Sequence, residues 1–157
     1  MIFVRTTQDD PRAVPLVEEL SREYDERYEP NDGVPSSFEL QRYPASLFTP
    51  AEGGYFVLLL DGDETVAGGA YKRVDAESVE MKRVWTSSLH RRKGYAKLVM
   101  DELESQARAA GYSRSELTTG ARQPEAVALY LGLGYEPLFD LDGDYEEISY
   151  LSFSKAL

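Results

Sequence analysis

The apolar residues of this chain change period at Gly94, and few folds accommodate that change. Before it, Tyr55-Phe56-Val57-Leu58-Leu59-Leu60, then Asp61-Gly62-Asp63-Glu64, then Thr65-Val66-Ala67-Gly68-Gly69-Ala70-Tyr71 read as strand, turn and strand. A third strand over Ser78 to Thr86 extends this hairpin into an antiparallel meander, and the glycine pair inside the second strand marks a bulge or a close backbone approach. After Gly94 the period becomes helical: Ala96, Val99, Met100, Leu103, Ala107 and Ala110 form one apolar stripe, stopped by Gly111, so a helix is expected over 94–110. A short strand from Ser115 to Thr119, a helix from Pro124 to Leu133 ending at Gly134, and a closing strand from Glu147 to Phe153 follow.

Upstream, Ile2 to Arg5 reads as a strand. Asp10-Pro11 has the form of a helix start, although Pro15 cannot donate to the Pro11 carbonyl. The helix is therefore expected from Pro11 or Pro15 to about Tyr28, with Leu16, Val17, Leu20 and Tyr24 on its apolar face. Residues 30–54, rich in Pro, Gly and Ser around Phe38-Glu39-Leu40, are expected to form a mobile loop with a short second helix. A meander followed by strand, helix, strand, helix and strand implies a mixed α/β sheet with helices on its faces, in one domain spanning residues 1–157.

Composition removes several classes of function. No apolar run approaches the ~20 residues that cross a bilayer, and the start Met1-Ile2-Phe3-Val4-Arg5 lacks the pattern of a signal peptide, so the cytoplasm is the expected location. With no cysteine there is no disulfide, thiol nucleophile or Cys-ligated metal; with one histidine, His90, a His-based zinc site or a Ser-His-Asp triad is not expected. The formal charge of −11 argues against nucleic-acid binding.

That average conceals a polarity. Residues 1–80 hold 17 acids and 7 bases, residues 98–157 hold 11 and 4, but residues 81–97 hold 6 bases (Lys82, Arg83, Arg91, Arg92, Lys93, Lys97) and no acid. The window is expected to face an anion. It spans the junction where the strand ending at Trp85-Thr86 passes through Ser87-Ser88-Leu89-His90 into Arg91-Arg92-Lys93-Gly94-Tyr95-Ala96 and the long helix. The first amides of a helix lack intrahelical acceptors, the dipole makes that end positive, and a glycine admits a phosphate close to the backbone. Neither GxxxxGK[ST] nor a strand-following GxGxxG is present.

Arg91-x-x-Gly94-x-Ala96 resembles the Q/R-x-x-G-x-G/A signature of the GNAT superfamily of N-acetyltransferases, placed between strand and helix as that family places it. Glu80-Met81-Lys82-Arg83-Val84-Trp85-Thr86 resembles the family strand before the signature, Leu117-Thr118-Thr119-Gly120 the next strand, and Gln123 to Tyr135 the segment carrying the family's tyrosine. The resemblance covers residues 80–135. It implies a mostly antiparallel central sheet of about six or seven strands flanked by about four helices. It also implies acetyl-CoA as cosubstrate, no metal, and an amine acceptor. The pyrophosphate would lie on the amides of Arg92, Lys93, Gly94, Tyr95, Ala96 and Lys97 beside Arg91. The pantetheine would pair with backbone near Val84, Trp85 and Thr86, where the strand bulges and splays from its neighbour.

Acetyl transfer to an amine needs a neutral amine, a donor to the oxyanion, and a proton for the leaving thiolate. Glu80 is the candidate base by resemblance to the histone-acetyltransferase branch, against the simpler reading of an ion pair with Lys82 or Arg83. The Val84 amide is the candidate oxyanion donor. Tyr130 matches the family tyrosine near the sulfur, against the reading of an ordinary helix-face aromatic. Gln123 stands where many members have asparagine, which counts against a cofactor contact there. His90 is read as a solvated loop residue, and Asp140-x-Asp142-Gly143-Asp144 as an acidic turn rather than a calcium loop. Tyr24, Tyr28, Tyr43 and Tyr55 are candidates for an amine pocket, and an acidic acceptor side is expected. A non-catalytic acyl-CoA-binding module is the alternative; the acceptor's identity and the choice of monomer or homodimer stay open.

Overall fold

The computed structural model describes residues 1–28, 40 and 43–157. In chain order the elements are β1 (Ile2–Arg5), α1 (Val14–Arg27), β2 (Tyr55–Asp61), β3 (Glu64–Arg73), β4 (Ser78–Thr86), α2 (Tyr95–Ala109), β5 (Arg114–Gly120), α3 (Pro124–Gly132), β6 (Glu136–Pro137), α4 (Tyr145–Ile148) and β7 (Tyr150–Ala156). They build one seven-stranded sheet in the order β1-β2-β3-β4-β5-β7-β6. Every pairing is antiparallel except β4 with β5. The expected mixed, mostly antiparallel sheet with helices on its faces is what forms.

Both faces of the sheet are covered, which is why β2 is apolar at successive positions rather than alternately. Phe56, Leu58 and Leu60 point to α1, where Leu16 and Leu20 join Leu40, Phe48, Ala70 and Trp85. Val57 and Leu59 point the other way, to Val99, Met100, Leu103 and Ala107 of α2 and to Val127 and Tyr130 of α3. The glycine pair in β3 lets both helices come close. A Cβ on Gly68 would stand 2.9 Å from both Leu16 Cδ1 and the Val57 carbonyl oxygen, and one on Gly69 would stand 2.9 Å from Val99 Cγ1.

Several boundaries differ from the sequence expectation. Asp10 caps a 3-10 turn over Pro11–Ala13, accepting from the Arg12 amide at 2.8 Å, and the α-helix begins at Val14 with Pro15 in its first turn, where a missing N–H costs nothing. The expected short helix around Phe38 and Glu39 lies outside the described residues; the following stretch holds 3-10 turns at Ala45–Phe48 and Pro50–Glu52. The closing strand runs from Tyr150, not Glu147. Asp144 accepts from the Glu146 amide and caps a short helix there, and Ser149, at φ 71°, ends it.

Replacing Gly68 with valine sets a side chain against a main-chain carbonyl that cannot yield. Overpacking of this kind costs about 1–3 kcal/mol, so a thermal melt should show a transition roughly 3–10 °C lower.

Candidate active site

The site begins with one surplus residue in β4. The register pairs Gly68 with Trp85 and Ala70 with Lys82, so Arg83 and Val84 together oppose the single residue Gly69. Arg83 takes φ 61°, a left-handed conformation that bulky residues adopt only under constraint. Its buried guanidinium donates to the Leu40 carbonyl at 3.1 Å and lies over the Phe48 ring, which holds the bulge. On its other side β4 pairs with β5 only through Ser78, Glu80 and the residue between them, the last pair being Glu80 with Glu116. Beyond Glu80 the two strands part, and among the described residues the β5-facing edge of β4 from Met81 to Thr86 has no strand partner. A buried hydroxyl, Thr86 Oγ1, lies at the far end of this fork without a hydrogen-bond partner among the described residues.

Beyond Thr86, Ser87 turns the chain by accepting from the Leu89 amide, and α2 starts at Gly94, φ 79°. Leu98 is the first residue whose amide reaches a carbonyl four residues back, that of Gly94 at 3.1 Å. The amides of Arg92 through Lys97 have no such acceptor among the described residues, the arrangement that binds anions at helix N-termini. A Cβ added at Gly94 would meet nothing within 4 Å, so the approach to these amides is open. Main chain without a strand partner, running from the fork into an open, positive helix end, fits a long ligand with an amide-rich arm and a diphosphate.

The basic window does not act as one body. Lys82 and Arg83 both face the α1 side, away from the loop, because the bulge at Arg83 interrupts the strand's alternation. Within the loop, Arg91 pairs with Glu23 and lies 3.9 Å from Glu19, and Lys97 pairs with Asp101 at 2.9 Å. Arg92, at φ 64°, and Lys93 are exposed. Tyr95 and Ala96 are half-buried at the start of α2.

Sequence reasoning missed Glu19. Its carboxylate accepts from Trp85 Nε1 at 3.1 Å, from the Ser88 amide at 2.7 Å and from Ser88 Oγ at 3.0 Å, bolting α1 to the turn that precedes the open amides. The partners lie more than sixty residues apart in sequence, and no local pattern announces them. Trp85 is thereby fixed beneath α1, the whole residue 3% exposed, with only its main chain left toward the fork.

Glu80, half-buried at the mouth of the fork, sits between two ammonium groups, Lys72 Nζ at 3.4 Å and Lys82 Nζ at 3.7 Å. Of the two ion-pair partners considered from sequence, Lys82 is present and Arg83 is not. Both lysines lie about 5 Å from the Tyr43 ring, at 5.0 and 5.2 Å. The expected acidic acceptor side is therefore mixed in charge where it borders Glu80.

Tyr130 is buried, with its ring 5.9 Å from that of Tyr135 and 5.7 Å from that of Phe153. Burial pushes its hydroxyl well above the usual phenol range, and Tyr24, carried by α1 on the opposite face, adds to the shift, so the group is a neutral donor at physiological pH. Tyr135 is itself held by Ser115 and by Glu104, a buried carboxylate that also accepts from Lys155 at 2.8 Å. Of the other tyrosines, Tyr28 accepts from the Arg122 amide and closes over Gly120 at the end of β5, whereas Tyr55 stacks on Tyr71 in the far core. Gln123 serves the helix entry: its Oε1 accepts from Thr119 Oγ1 and the Gly120 amide. His90 is not merely solvated, since its Nε2 meets Glu64 Oε1 at 2.7 Å.

The family model for the acetyltransferase (GNAT) family matches residues 14–135. The chain is 38% identical over 89 residues to the uncharacterized N-acetyltransferase YsnE of Bacillus subtilis, covering 54% of this chain and 59% of that protein. It is 31% identical over 137 residues to the uncharacterized N-acetyltransferase YjgM of Escherichia coli, covering 83% and 78%. Among solved structures, a GNAT-family acetyltransferase from Staphylococcus aureus superposes with a TM-score of 0.73 at 16% identity, covering 99% of each chain. One from Elizabethkingia anophelis with acetyl-CoA bound superposes with a TM-score of 0.68 at 14% identity, covering 99% of this chain and 97% of that one.

Gly94→Glu places a carboxylate over the open amides at a position of positive φ. Calorimetric titration with coenzyme A should show no measurable binding by this variant.

Proposed function

This chain belongs to the acetyltransferase (GNAT) family, and on that premise we propose that it moves an acetyl group from acetyl-CoA to a primary amine of a small molecule or peptide. The observation that carries the reading is the fork between β4 and β5 running into the open amides at the start of α2. Supporting it, acetyl-CoA is bound in the related Elizabethkingia structure, and the relatives YsnE and YjgM bear N-acetyltransferase names.

In this proposal the amides of Arg92, Lys93, Gly94, Tyr95, Ala96 and Lys97 receive the diphosphate, aided by the side chains of Arg91, Arg92, Lys93 and Lys97. Charge-assisted hydrogen bonds to phosphate are about twice as strong as neutral ones, which suits a ligand that must approach a chain of net charge −11. The main chain of Val84, Trp85 and Thr86 pairs with the amide-rich arm, and Thr86 Oγ1 finds a partner there. Acetyl-CoA supplies an activated thioester, attacked directly by the amine to give a tetrahedral intermediate.

Three groups of the chain then act. The Val84 N–H, displaced by the bulge, donates to the oxygen that gains charge; loss of one such donor typically costs ~3 kcal/mol. Glu80 accepts the proton of the attacking amine, directly or through water, with Lys72 and Lys82 fixing its orientation. Tyr130 returns a proton to the departing thiolate; burial keeps its hydroxyl protonated, so the proton is there to be given. The Tyr24 and Tyr28 side of the fork, with Tyr43 over the two lysines, borders the acceptor.

Thiol release from acetyl-CoA across an amine panel tests the whole reading: coenzyme A binding without turnover on any amine would favour a non-catalytic acyl-CoA-binding module. Within an active enzyme, Tyr130→Phe should lower kcat at least tenfold while the dissociation constant of coenzyme A stays within twofold. An unchanged kcat across the pH range would remove Tyr130 from proton transfer.

A further inference from the structure

Arg91 opens the run that leads to the free amides, yet in this structure its guanidinium is turned to α1 and paired with Glu23. The two carboxylates it meets there are unequally engaged. Glu19 already accepts three hydrogen bonds from Trp85 and Ser88 and stands 3.9 Å from Arg91. Glu23 makes no other ion pair or hydrogen bond among the described residues. Glu19 thus anchors the turn, and Glu23 restrains the arginine.

Resting on the reading of the α2 start as a coenzyme A cradle, we propose that Arg91 exchanges partners on loading: the coenzyme's phosphate takes the guanidinium from Glu23. Glu23 is then a positioning residue that acts through Arg91 and holds its guanidinium on α1 until the anion arrives. The exchange is favourable in direction, because a guanidinium matches phosphate geometry bidentately and the diphosphate linkage brings two negative charges against the one of a carboxylate. It is also reversible, because the Arg91 side chain is 44% exposed and pairs that open to water are weak. Loading frees one tie between α1 and the loop while Glu19 keeps the other, so the helix bordering the acceptor side senses the occupied cradle.

The test is a double-mutant cycle in coenzyme A affinity, measured by calorimetry on the full chain at low ionic strength. Glu23→Gln should tighten binding about two- to fivefold, the scale of an exposed pair. Arg91→Met should weaken it, and in the Arg91→Met background Glu23→Gln should change nothing. Glu26→Gln, an exposed acid on the same helix, controls for the removal of one negative charge and should shift affinity less than Glu23→Gln. Tightening that persists without Arg91, or an equal gain from Glu26→Gln, would assign the effect to bulk charge and overturn the exchange. So would unchanged or weaker binding by Glu23→Gln. Wild-type protein that binds no coenzyme A would instead overturn the transferase reading itself, so the two failures are distinguishable.

Discussion

One extra residue in a strand governs this molecule. With Arg83 and Val84 both set against Gly69, β4 twists away from β5 after the Glu80 pair, and a sheet that is continuous at one end becomes forked at the other. The unpaired main chain in that fork would be costly if merely buried, since a backbone polar group without a partner loses about as much as a broken hydrogen bond. Arg83 pins the distortion from the α1 side through Leu40 and Phe48, and Gly69 leaves room for the displaced strand and for Val99 of α2.

The same geometry distributes charge. The bulge sends two consecutive side chains to one face, so the basic residues that cluster in sequence separate in space: Lys82 and Arg83 go to the α1 side, and Arg91 through Lys97 remain at the helix start. Positive potential at the cradle comes from the helix end as well as from side chains, two of which, Arg91 and Lys97, are already paired with Glu23 and Asp101. Helix α1 joins the two regions. Glu19 and Glu23 hold the loop, and Tyr28 and Arg27 reach the end of β5 and Glu125 at the start of α3.

Much of this was legible before any coordinates. The hairpin, the third strand, the long helix after Gly94 and the helix starting at Pro124 all stand where period and punctuation put them. Elements with a strong periodic signal survive tertiary context. The short helix at Tyr145, the two-residue strand at Glu136 and the three-residue shift of β7 did not show, because capping by Asp144 and a positive φ at Ser149 outweigh weak local propensity. The glycine pair in β3, which signals a bulge or a close approach, serves both ends.

Sequence alone determined the class of sheet, the position of the helix whose first amides stay open, and the family, because those depend on local period, on Gly94 and on a signature confined to neighbouring residues. Only the tertiary structure decided how the charges pair and which groups share the fork. Trp85, Ser88 and Arg91 meet Glu19 and Glu23 across more than sixty residues of chain. Glu80 meets Lys72 because register, not proximity in sequence, sets cross-strand neighbours. An ionic or hydrogen-bonded contact over such separations leaves no periodic trace in the chain, since its energy depends on a distance that exists only once the sheet has formed.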